Sequence, residues 1–451
     1  MKLNHGLHLT YCTNIHRGED WRETFSGLEQ YTLAVRQRVG TREPFGIGLR
    51  LSNQAALELA EPQTLLAFQK WLDRHGCYVF TINGFPFGRF HGTRVKEQVF
   101  APDWTTRERL DYTNLLFDLL AQLLPPDVEG SVSTLPGSFK EFIYGHAPTS
   151  PSPRTGAPAS PPAYDVRMSK AGEDAAAPVD ASAKLTAIRR NLWSCIEHIA
   201  RVSERTGRTL HLGVEPEPLG LFENTTETVA FFAAMRDERP NDPRLNAHLG
   251  VNYDACHFAL QYESARAALE QFRRHDIKIS KLHLSSALKV RPTPEVRTAL
   301  RAFVDDVYLH QVIARAPDGT LTRYKDLPLA LDRSADLRIG TADEWRIHFH
   351  IPLHSVPLLG GVRGGFPVSA PLPGGARGGS AIFDNTTDHL LELLDVLGEN
   401  PKLCPHLEFE TYTWEVLPPE LKNESVVTQL VREYEWCLNA LRKRGLTSTA
   451  T

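Results

Sequence analysis

The sequence predicts an α/β fold, a single (β/α)8 TIM barrel, on the basis of three observations. Eight strand candidates alternate with amphipathic segments of helical length along the 451 residues. Most of these strand candidates are continuously apolar, which is typical of parallel strands covered on both faces. Helices that regularly separate such strands indicate repeated βα units, and eight units are the number that closes a barrel.

The strand candidates share a short apolar run that ends in a polar or glycine-rich segment. In chain order they are residues 6–12, 45–51, 78–84, 130–135, 209–215, 248–254, 277–285 and 406–412. Helix signals lie between them. Asp20 is placed to cap the helix after the first strand, and Gly76 is placed to end the helix before the third.

Two segments and one set of extra strands interrupt this alternation. Residues 147–183 are rich in Pro, Ala and Ser, and we expect a flexible insertion because few large apolar side chains offset the ordering entropy. Residues 355–380 contain four Gly-Gly pairs without a nucleotide-binding pattern, which favours a mobile surface loop over a phosphate cradle. Residues 308–327 predict a hairpin around an Asp-Gly turn, and residues 345–354 predict a further strand. We interpret both as a β elaboration before the last barrel strand.

These patterns predict five stretches along the chain. They are the first half of the barrel (1–146), the flexible insertion (147–183), barrel strands five to seven (184–307), the elaboration with the Gly-rich loop (308–385), and the last barrel strand with the C-terminal helices (386–451).

Composition and charge exclude several classes of function. The chain is 41% hydrophobic and 23% charged with a formal net charge of −4, which is typical of a soluble globular protein and argues against a dedicated nucleic-acid surface. The six cysteines are scattered without a paired motif, as expected for reduced thiols in the cytoplasm. No apolar run resembles a signal peptide or reaches the roughly 20 residues of a transmembrane helix. We therefore expect a cytoplasmic protein with no transmembrane segment.

Four predicted strands end in side chains that bind metal ions well. The fifth ends at Glu215 and the sixth at Asp254, while the seventh carries His283 and the eighth carries Glu410. The active site of a (β/α)8 barrel lies at the C-terminal ends of its strands, so these side chains would converge. Burying so much charge is costly unless a cation neutralises it. Mixed oxygen and nitrogen ligands suit Mn²⁺, Mg²⁺, Zn²⁺ or Co²⁺, and the sequence predicts a site for one of these ions.

Two neighbouring positions leave alternatives open. Glu408 competes with Glu410 because both lie on one face of the eighth strand, and we prefer Glu410 because it lies nearer the C-terminal end. His257 follows Asp254 by three positions, and at a strand tip both side chains can reach one point. Any one of these residues alone also fits a solvated loop, so the prediction depends on the joint pattern.

The segment "RIHFHIPLH" is a second source of candidate ligands. His348, His350 and His354 share one face of the predicted strand. That face either lines the pocket, where the imidazoles offer further metal ligands or proton shuttles, or forms an exposed row on a surface strand.

The loops after the first and third strands contain candidate substrate contacts. "INGFPFGRFHG" places Phe85, Phe87 and Phe90 among glycines, as either a lid over a ligand or a structural loop would, and His91 follows. Three polar residues are candidate contacts for substrate hydroxyls: Asn14, His16 and Asn83.

The segments "NYDACHFALQYE", "KLHLSS" and "LEFETYTW" resemble the xylose-isomerase-like barrel superfamily, which holds sugar isomerases, ketose 3-epimerases, inosose dehydratases and type IV apurinic endonucleases. The resemblance implies that the four strand-end residues bind a divalent metal. It also implies that His257 contacts the substrate or holds a second metal. The endonuclease branch has a His-Pro-Gly where this chain has Leu135, which argues against a three-metal nuclease, although His91 could substitute.

More closely, "GLHLTYCTNIHRGE", "GVEPEPLGLFENT", "RIHFHIPLH" and "HLEFETYTWEVLP" are similar to the EboE-type metabolite traffic proteins. Those proteins are encoded with a UbiA-like membrane prenyltransferase and are implied in moving or processing secondary metabolites. The resemblance implies a small polyol or secondary-metabolite substrate and a functional link to such a prenyltransferase.

These observations predict a metal-dependent isomerase, epimerase or dehydratase acting on a sugar or polyol. Glu215 and Glu410 would act as base and acid across an enediolate, and His257 would orient the substrate. A non-catalytic carrier that keeps the pocket is the alternative from a different class. Phosphodiester hydrolysis is a third, which would need two or three metals and a basic rim.

Overall fold

The computed structural model describes residues 1–41, 43–145, 179–332, 343–354, 358–359, 381–418, 422 and 424–447. Most of the predicted flexible insertion and most of the Gly-rich loop therefore lie outside the described residues. The five-part division of the chain stays a prediction.

The strands in the described part of the chain are numbered in chain order. They are β1 His8–Tyr11, β2 Phe45–Arg50, β3 Cys77–Asn83, β4 Gly130–Thr134, β5 Leu210–Val214, β6 Leu249–Asp254, β7 Lys278–Leu284, β8 Ala287–Val290, β9 Val312–Arg315, β10 Leu321–Tyr324, β11 Glu344–His350, β12 Leu358–Leu359, β13 Ala381–Asn385 and β14 His406–Phe409.

Eight of these strands form the barrel. Their order is β1-β14-β7-β6-β5-β4-β3-β2, and every adjacent pair is parallel. A parallel bridge between Cys12 and Gly48 brings β1 and β2 together, so the sheet closes on itself. All eight predicted barrel strands and the (β/α)8 fold class are confirmed.

Most of the described helices cover the outside of the barrel. In chain order the helices are α1 Trp21–Gly27, α2 Leu33–Val39, α3 Asn53–Leu59, α4 Pro62–Arg74, α5 Arg107–Leu123, α6 Lys140–Tyr144, α7 Val179–Thr206, α8 Thr225–Glu238, α9 Arg244–His248, α10 Ala255–Leu260, α11 Ala265–Arg274, α12 Pro294–Leu300, α13 Leu327–Asp332, α14 Thr387–Glu399 and α15 Val426–Arg442. Helices α12 and α13 pack in a separate hydrophobic core. The side chain of Asp20 caps α1 by accepting from Glu23 N–H, and Gly76 follows α4 with a positive φ of 55°. No described helix is long and apolar enough to cross a membrane.

Helix α7 begins earlier than the sequence predicts. It starts at Val179, so residues 179–183 of the segment predicted as flexible are helical. Ala181 and Leu185 pack against the barrel core, which gives this first part of the helix a buried face.

A second, antiparallel sheet follows β7 in the chain. Its strand order is β10-β9-β11-β8-β13-β12. The hairpin of β9 and β10 and the strand β11 confirm the predicted elaboration. The sheet also includes β8, which the sequence does not predict, because the predicted seventh strand ends at residue 285 and no further strand is expected directly after it. The extra sheet therefore starts at the mouth of the barrel.

Two hydrophobic cores underlie these layers. The larger fills the space between the barrel and its helices. The second packs under the antiparallel sheet and includes Trp345, Ile347 and Phe349 of β11. The alternate residues of that strand, His348 and His350, are buried on the other face. The six cysteines are free and buried.

Candidate metal centre

Four buried side chains converge at the C-terminal ends of consecutive barrel strands. Glu215 follows β5, Asp254 ends β6, His283 lies near the end of β7, and Glu410 follows β14. One ligand atom from each lies within 4.8 Å of the ligand atoms of the other three. The structure thus brings together the four residues that the sequence analysis names as a metal site.

His283 Nδ1 lies at the centre of this group. It is 3.2 Å from Glu215 Oε1, 3.4 Å from Asp254 Oδ2 and 3.5 Å from Glu410 Oε2. Burial lowers the pKa of His283, but the surrounding carboxylates outweigh this and hold its pKa well above the ordinary value. A positive charge at this position is therefore favoured by three carboxylates at once.

The opposite ring nitrogen of His283 identifies the role of Glu408. His283 Nε2 donates to Glu408 Oε2 at 2.8 Å, and the same oxygen accepts from Lys281 Nζ at 2.8 Å. All three side chains are fully buried. Glu408 thus orients the imidazole from behind, as carboxylates behind metal-binding histidines do, while Glu410 faces the group itself. The preference for Glu410 over Glu408 agrees with this geometry.

One of the two carboxylate oxygens of Asp254 has no hydrogen-bond donor among the described residues. Asp254 Oδ1 accepts from Ser285 Oγ at 2.7 Å and from His257 N–H at 3.0 Å. Its Oδ2 is buried, accepts no hydrogen bond, and faces the centre of the group. Buried carboxylate oxygens normally have partners, so this unsatisfied oxygen fits a cation ligand. The donor set and its burial both fit a divalent metal.

Glu410 is held by two residues predicted as substrate contacts. Asn14 Nδ2 donates to Glu410 Oε1 at 2.6 Å, and Asn83 Nδ2 donates to the same oxygen at 3.1 Å. Burial, together with the Glu215 and Asp254 carboxylates, raises the pKa of Glu410 to about 8, although His283 opposes the shift. Asn14 and Asn83 therefore position a carboxyl group that holds a proton readily when no cation is bound.

Three histidines form a second group beside the first. His257 Nε2 lies 3.0 Å from His348 Nε2, which lies 3.2 Å from His350 Nε2. The face of β11 that carries His348 and His350 is buried at the barrel mouth and is not an exposed row. His354 lies beyond the end of β11 and belongs to none of the groups of candidate ligands in the described residues.

The hydrogen bonds of this second group determine its tautomers. The Nδ1 atoms of His257, His348 and His350 donate respectively to the carbonyl of Pro216 at 3.0 Å, Gln311 Oε1 at 2.7 Å and the carbonyl of Glu410 at 3.1 Å. Because carbonyl oxygens only accept, each Nδ1 carries the hydrogen and each Nε2 presents a lone pair. Three lone pairs that face one another need a proton or a metal ion between them.

Glu217 is a member of this second group that the sequence analysis missed. It is buried, and one of its oxygens lies within 4.8 Å of the ligand atoms of His257 and His348. Burial, with the neighbouring Glu215 carboxylate, raises the pKa of Glu217 well above its ordinary value. The available signal was its position two residues after Glu215, on the same loop at the mouth.

Two other predicted histidines lie elsewhere. His91 Nε2 donates to the Asn14 carbonyl at 2.6 Å, and its Nδ1 accepts from Tyr308 Oη at 2.8 Å, so the ring offers no free lone pair. His16 contacts Tyr11 Oη at 3.0 Å and lines an outer groove instead of the cavity beside the ligands. The structure does not bring either ring to the metal centre.

A narrow cavity of about 60 Å³ lies beside the two groups. Asn14, Asn83, Phe85 and Phe90 are among its lining residues. Phe87 lines the outer groove instead and packs against Tyr112 with ring centroids 5.0 Å apart. Two of the three phenylalanines of this loop, Phe85 and Phe90, therefore line the cavity.

Comparisons with known proteins give no family match, and their structural likenesses are distant. No protein-family model and no curated protein matches the sequence. Similar solved structures include a D-tagatose 3-epimerase-like protein at 11% identity and a TM-score of 0.44, covering 97% of this chain and 98% of that one. An IolI protein with a bound zinc atom is 10% identical with a TM-score of 0.41, and the match covers 98% of this chain and 99% of that one. A xylose isomerase domain protein from Alicyclobacillus acidocaldarius is 12% identical with a TM-score of 0.41, and the match covers 97% of this chain and 100% of that one. TM-scores this low carry no conclusion about function.

Proposed function

We propose that the protein is a divalent-metal-dependent enzyme of the isomerase, epimerase or dehydratase type, acting on a small sugar-like or polyol substrate. The proposal rests on one observation. Glu215, Asp254, His283 and Glu410 form a buried group, and Asp254 Oδ2, which accepts no hydrogen bond, faces its centre. Three carboxylates packed around one imidazole are costly in a closed protein interior. A cation offsets that cost.

The residues at the barrel mouth would have three roles: binding the cation, transferring a proton and positioning the ligands. Glu215, Asp254, His283 and Glu410 would hold the cation, whose chemistry is Lewis-acid polarisation of a substrate oxygen. Glu215 and Glu410 directly follow strands β5 and β14, on either side of β6 and β7, and would remove and return a proton. Asn14 and Asn83 would keep Glu410 in place, and Glu408 would keep His283 in one tautomer.

Elemental analysis of protein purified without added metal tests the proposal. We expect at least one tightly held divalent ion per chain in the wild type and none in the double variant Asp254→Ala/His283→Ala. His406→Leu, a change in the same barrel far from the mouth, is the matched control and should retain the ion. A wild type that holds no metal and takes none up on titration would overturn the proposal.

A second candidate, metal-dependent phosphodiester hydrolysis, is favoured by one specific observation. The facing Nε2 atoms of His257, His348 and His350, with Glu217 beside them, offer a second cation site next to the first. Paired ions are typical of phosphodiesterases. Two ions per chain, one of them lost in His348→Ala, together with hydrolysis of bis(p-nitrophenyl) phosphate, would favour this candidate over the first.

The setting of the activity rests on the motif resemblance alone. We propose that the substrate belongs to a secondary-metabolite pathway in the cytoplasm and that the protein works alongside a membrane prenyltransferase. A carrier that binds the metabolite without turnover is the alternative. Assay of a panel of polyols with the Mn²⁺-loaded protein distinguishes the two, because only the enzyme gives sustained product formation.

A further inference from the structure

The part of the cavity wall that carries no ligand residue is apolar. Side chains from two loops form it: Phe85, Pro86, Phe90, Val95, Val99 and Leu309. Tyr308 and Tyr412 complete it and pack on Phe90, with ring centroids 5.1 Å and 5.4 Å from the Phe90 ring. A substrate held at the carboxylates would therefore meet aromatic and aliphatic surface on its other side.

The one ammonium group that lines the cavity, among the described residues, is already fully engaged. Lys96 Nζ donates to the carbonyls of Asp305 at 2.8 Å and Tyr308 at 2.7 Å, and to Asp326 Oδ2 at 2.7 Å. An ammonium group has three hydrogens, so none is left for a ligand. No arginine belongs to the described lining.

The two tyrosine hydroxyl groups of the wall offer at most one hydrogen-bond donor to an anionic ligand. Tyr308 Oη donates to His91 Nδ1 at 2.8 Å, since His91 Nε2 carries the ring hydrogen. Tyr412 Oη lies 3.4 Å from His348 Nε2, so its hydroxyl is the single one left for a ligand when that lone pair meets a proton or a metal ion. Phosphate sites need several uncommitted N–H or O–H donors or a cationic side chain, and this wall has neither.

We propose that the substrate is an unphosphorylated molecule that presents two adjacent oxygens to the metal centre and a carbon ring or other apolar face to the Phe85–Phe90–Tyr308–Tyr412 wall. This deepens the proposed function and rests on it. The apolar wall favours the ring, and none of the described lining residues offers an uncommitted cation to a phosphate ester. The expected substrates are therefore hydroxylated or hydroxy-keto ring compounds and not sugar phosphates.

Three hydroxamic acids test this, because they share one metal-chelating head and differ in the tail. Acetohydroxamic acid carries a methyl group, benzohydroxamic acid a ring, and phosphonoacetohydroxamic acid a phosphate-like anion. Titrated into the Co²⁺-loaded protein and followed by the visible Co²⁺ bands, benzohydroxamate should bind at least about tenfold tighter than acetohydroxamate, since its ring contacts the aromatic and aliphatic wall at the cavity opening. Phosphonoacetohydroxamate should bind no tighter than acetohydroxamate.

Variants assign the preference to the wall. Phe90→Leu should reduce the preference for benzohydroxamate severalfold while leaving acetohydroxamate affinity and Co²⁺ content unchanged. Phe87→Leu, in the same loop but outside the cavity, is the matched control and should change none of these quantities. A tighter phosphonate, or equal affinities for ring and methyl with Co²⁺ bound, would overturn the substrate class alone. A wild type that binds no Co²⁺ would overturn the proposed function and this inference together.

Discussion

The two ends of the barrel interior both bury polar side chains, but they treat charge in opposite ways. At the mouth, Glu215, Asp254 and Glu410 surround His283. At the N-terminal end of the strands, the buried polar groups inside the barrel are mainly histidines and serines. The same parallel sheet thus holds a concentration of negative charge at one end and neutral groups at the other.

The histidines at the N-terminal end are kept neutral by burial. Burial lowers the pKa of His8 to about 3 and that of His211 to about 4, and it lowers the pKa of His406 well below its ordinary value. Each has a neutral partner: Tyr78 Oη at 2.7 Å, Ser280 Oγ at 2.6 Å and Ser131 Oγ at 2.8 Å, respectively. His211 also contacts the Glu129 carboxylate, but that group is half-exposed and lies 3.5 Å from Lys278 Nζ, so this end needs no ion. It is a structural layer of the kind that fills barrel interiors.

Burial of a histidine alone therefore does not mark a functional site in this protein. Histidines are buried at both ends, yet at the N-terminal end only His211 meets a carboxylate, the half-exposed Glu129, whereas His283 at the mouth faces three buried carboxylates. If a cation accounts for that difference, metal binding should depend on residues at the mouth and not on those at the N-terminal end.

The largest expected effect is the loss of metal-dependent stability. A ligand present at about 1,000 times its Kd stabilises the folded state by about 4 kcal/mol, so saturating Mn²⁺ or Zn²⁺ should raise the Tm of chelator-treated wild type by several degrees. Asp254→Asn should abolish this rise. Differential scanning calorimetry with and without metal measures it, and an equal rise in the variant would contradict a site at the mouth.

Glu433 should produce a large pH effect close to the mouth but outside the ligand group. Burial raises the pKa of this carboxyl group to about 7, although Thr411 Oγ1 and Leu353 N–H donate to it. The folded protein then keeps a proton that the unfolded chain loses near its ordinary pKa of 4.5, so stability is full below pH 4.5 and falls by about 3 kcal/mol as the pH rises to 7.

Glu433→Gln removes that titration. The free energy of unfolding of the variant relative to wild type should therefore rise by about 3 kcal/mol between pH 4.5 and pH 8. Urea unfolding of both proteins at the two pH values measures the difference. A constant difference would show that folding does not raise the pKa of Glu433.

A smaller effect is expected from Glu408→Gln, which removes the charge behind His283. Such partners of ligating histidines typically change metal affinity 10- to 100-fold, or about 2 kcal/mol. The matched control is Glu129→Gln, because Glu129 makes a similar pair with His211 Nε2, at 3.3 Å, at the other end of the barrel. Competition with a chromophoric chelator measures both affinities, and equal losses would remove the distinction between the ends.

The smallest effect is expected from His406→Leu at the N-terminal end. The change removes one hydrogen bond to Ser131, whose hydroxyl keeps its contact with Thr81 Oγ1 at 2.8 Å. We expect a loss of about 1 kcal/mol in unfolding free energy, measured with urea, and unchanged metal content. Loss of metal in this variant would make the N-terminal layer part of the site.

Sequence periodicity predicted most of the fold and the positions of the four ligand candidates. The barrel strands are continuous apolar runs, and the ends of such runs are visible in the letters, so Glu215, Asp254 and Glu410 could be placed at one rim. Strand β8 was not predicted, because its four residues are too few to form a clear strand pattern directly after β7. Glu217 escaped because nothing in a loop sequence tells which way its side chain points.

By itself, the sequence determined that parallel strands close into a barrel and that polar groups follow the late strands, because both depend on local patterns of two to eight residues. Only the tertiary structure decided which imidazoles share a centre. His91 and His348 look alike in the sequence, but one uses both nitrogens to join two loops and the other presents a lone pair to His257. That choice depends on carbonyl oxygens supplied by residues far away in the chain, and no local pattern contains it.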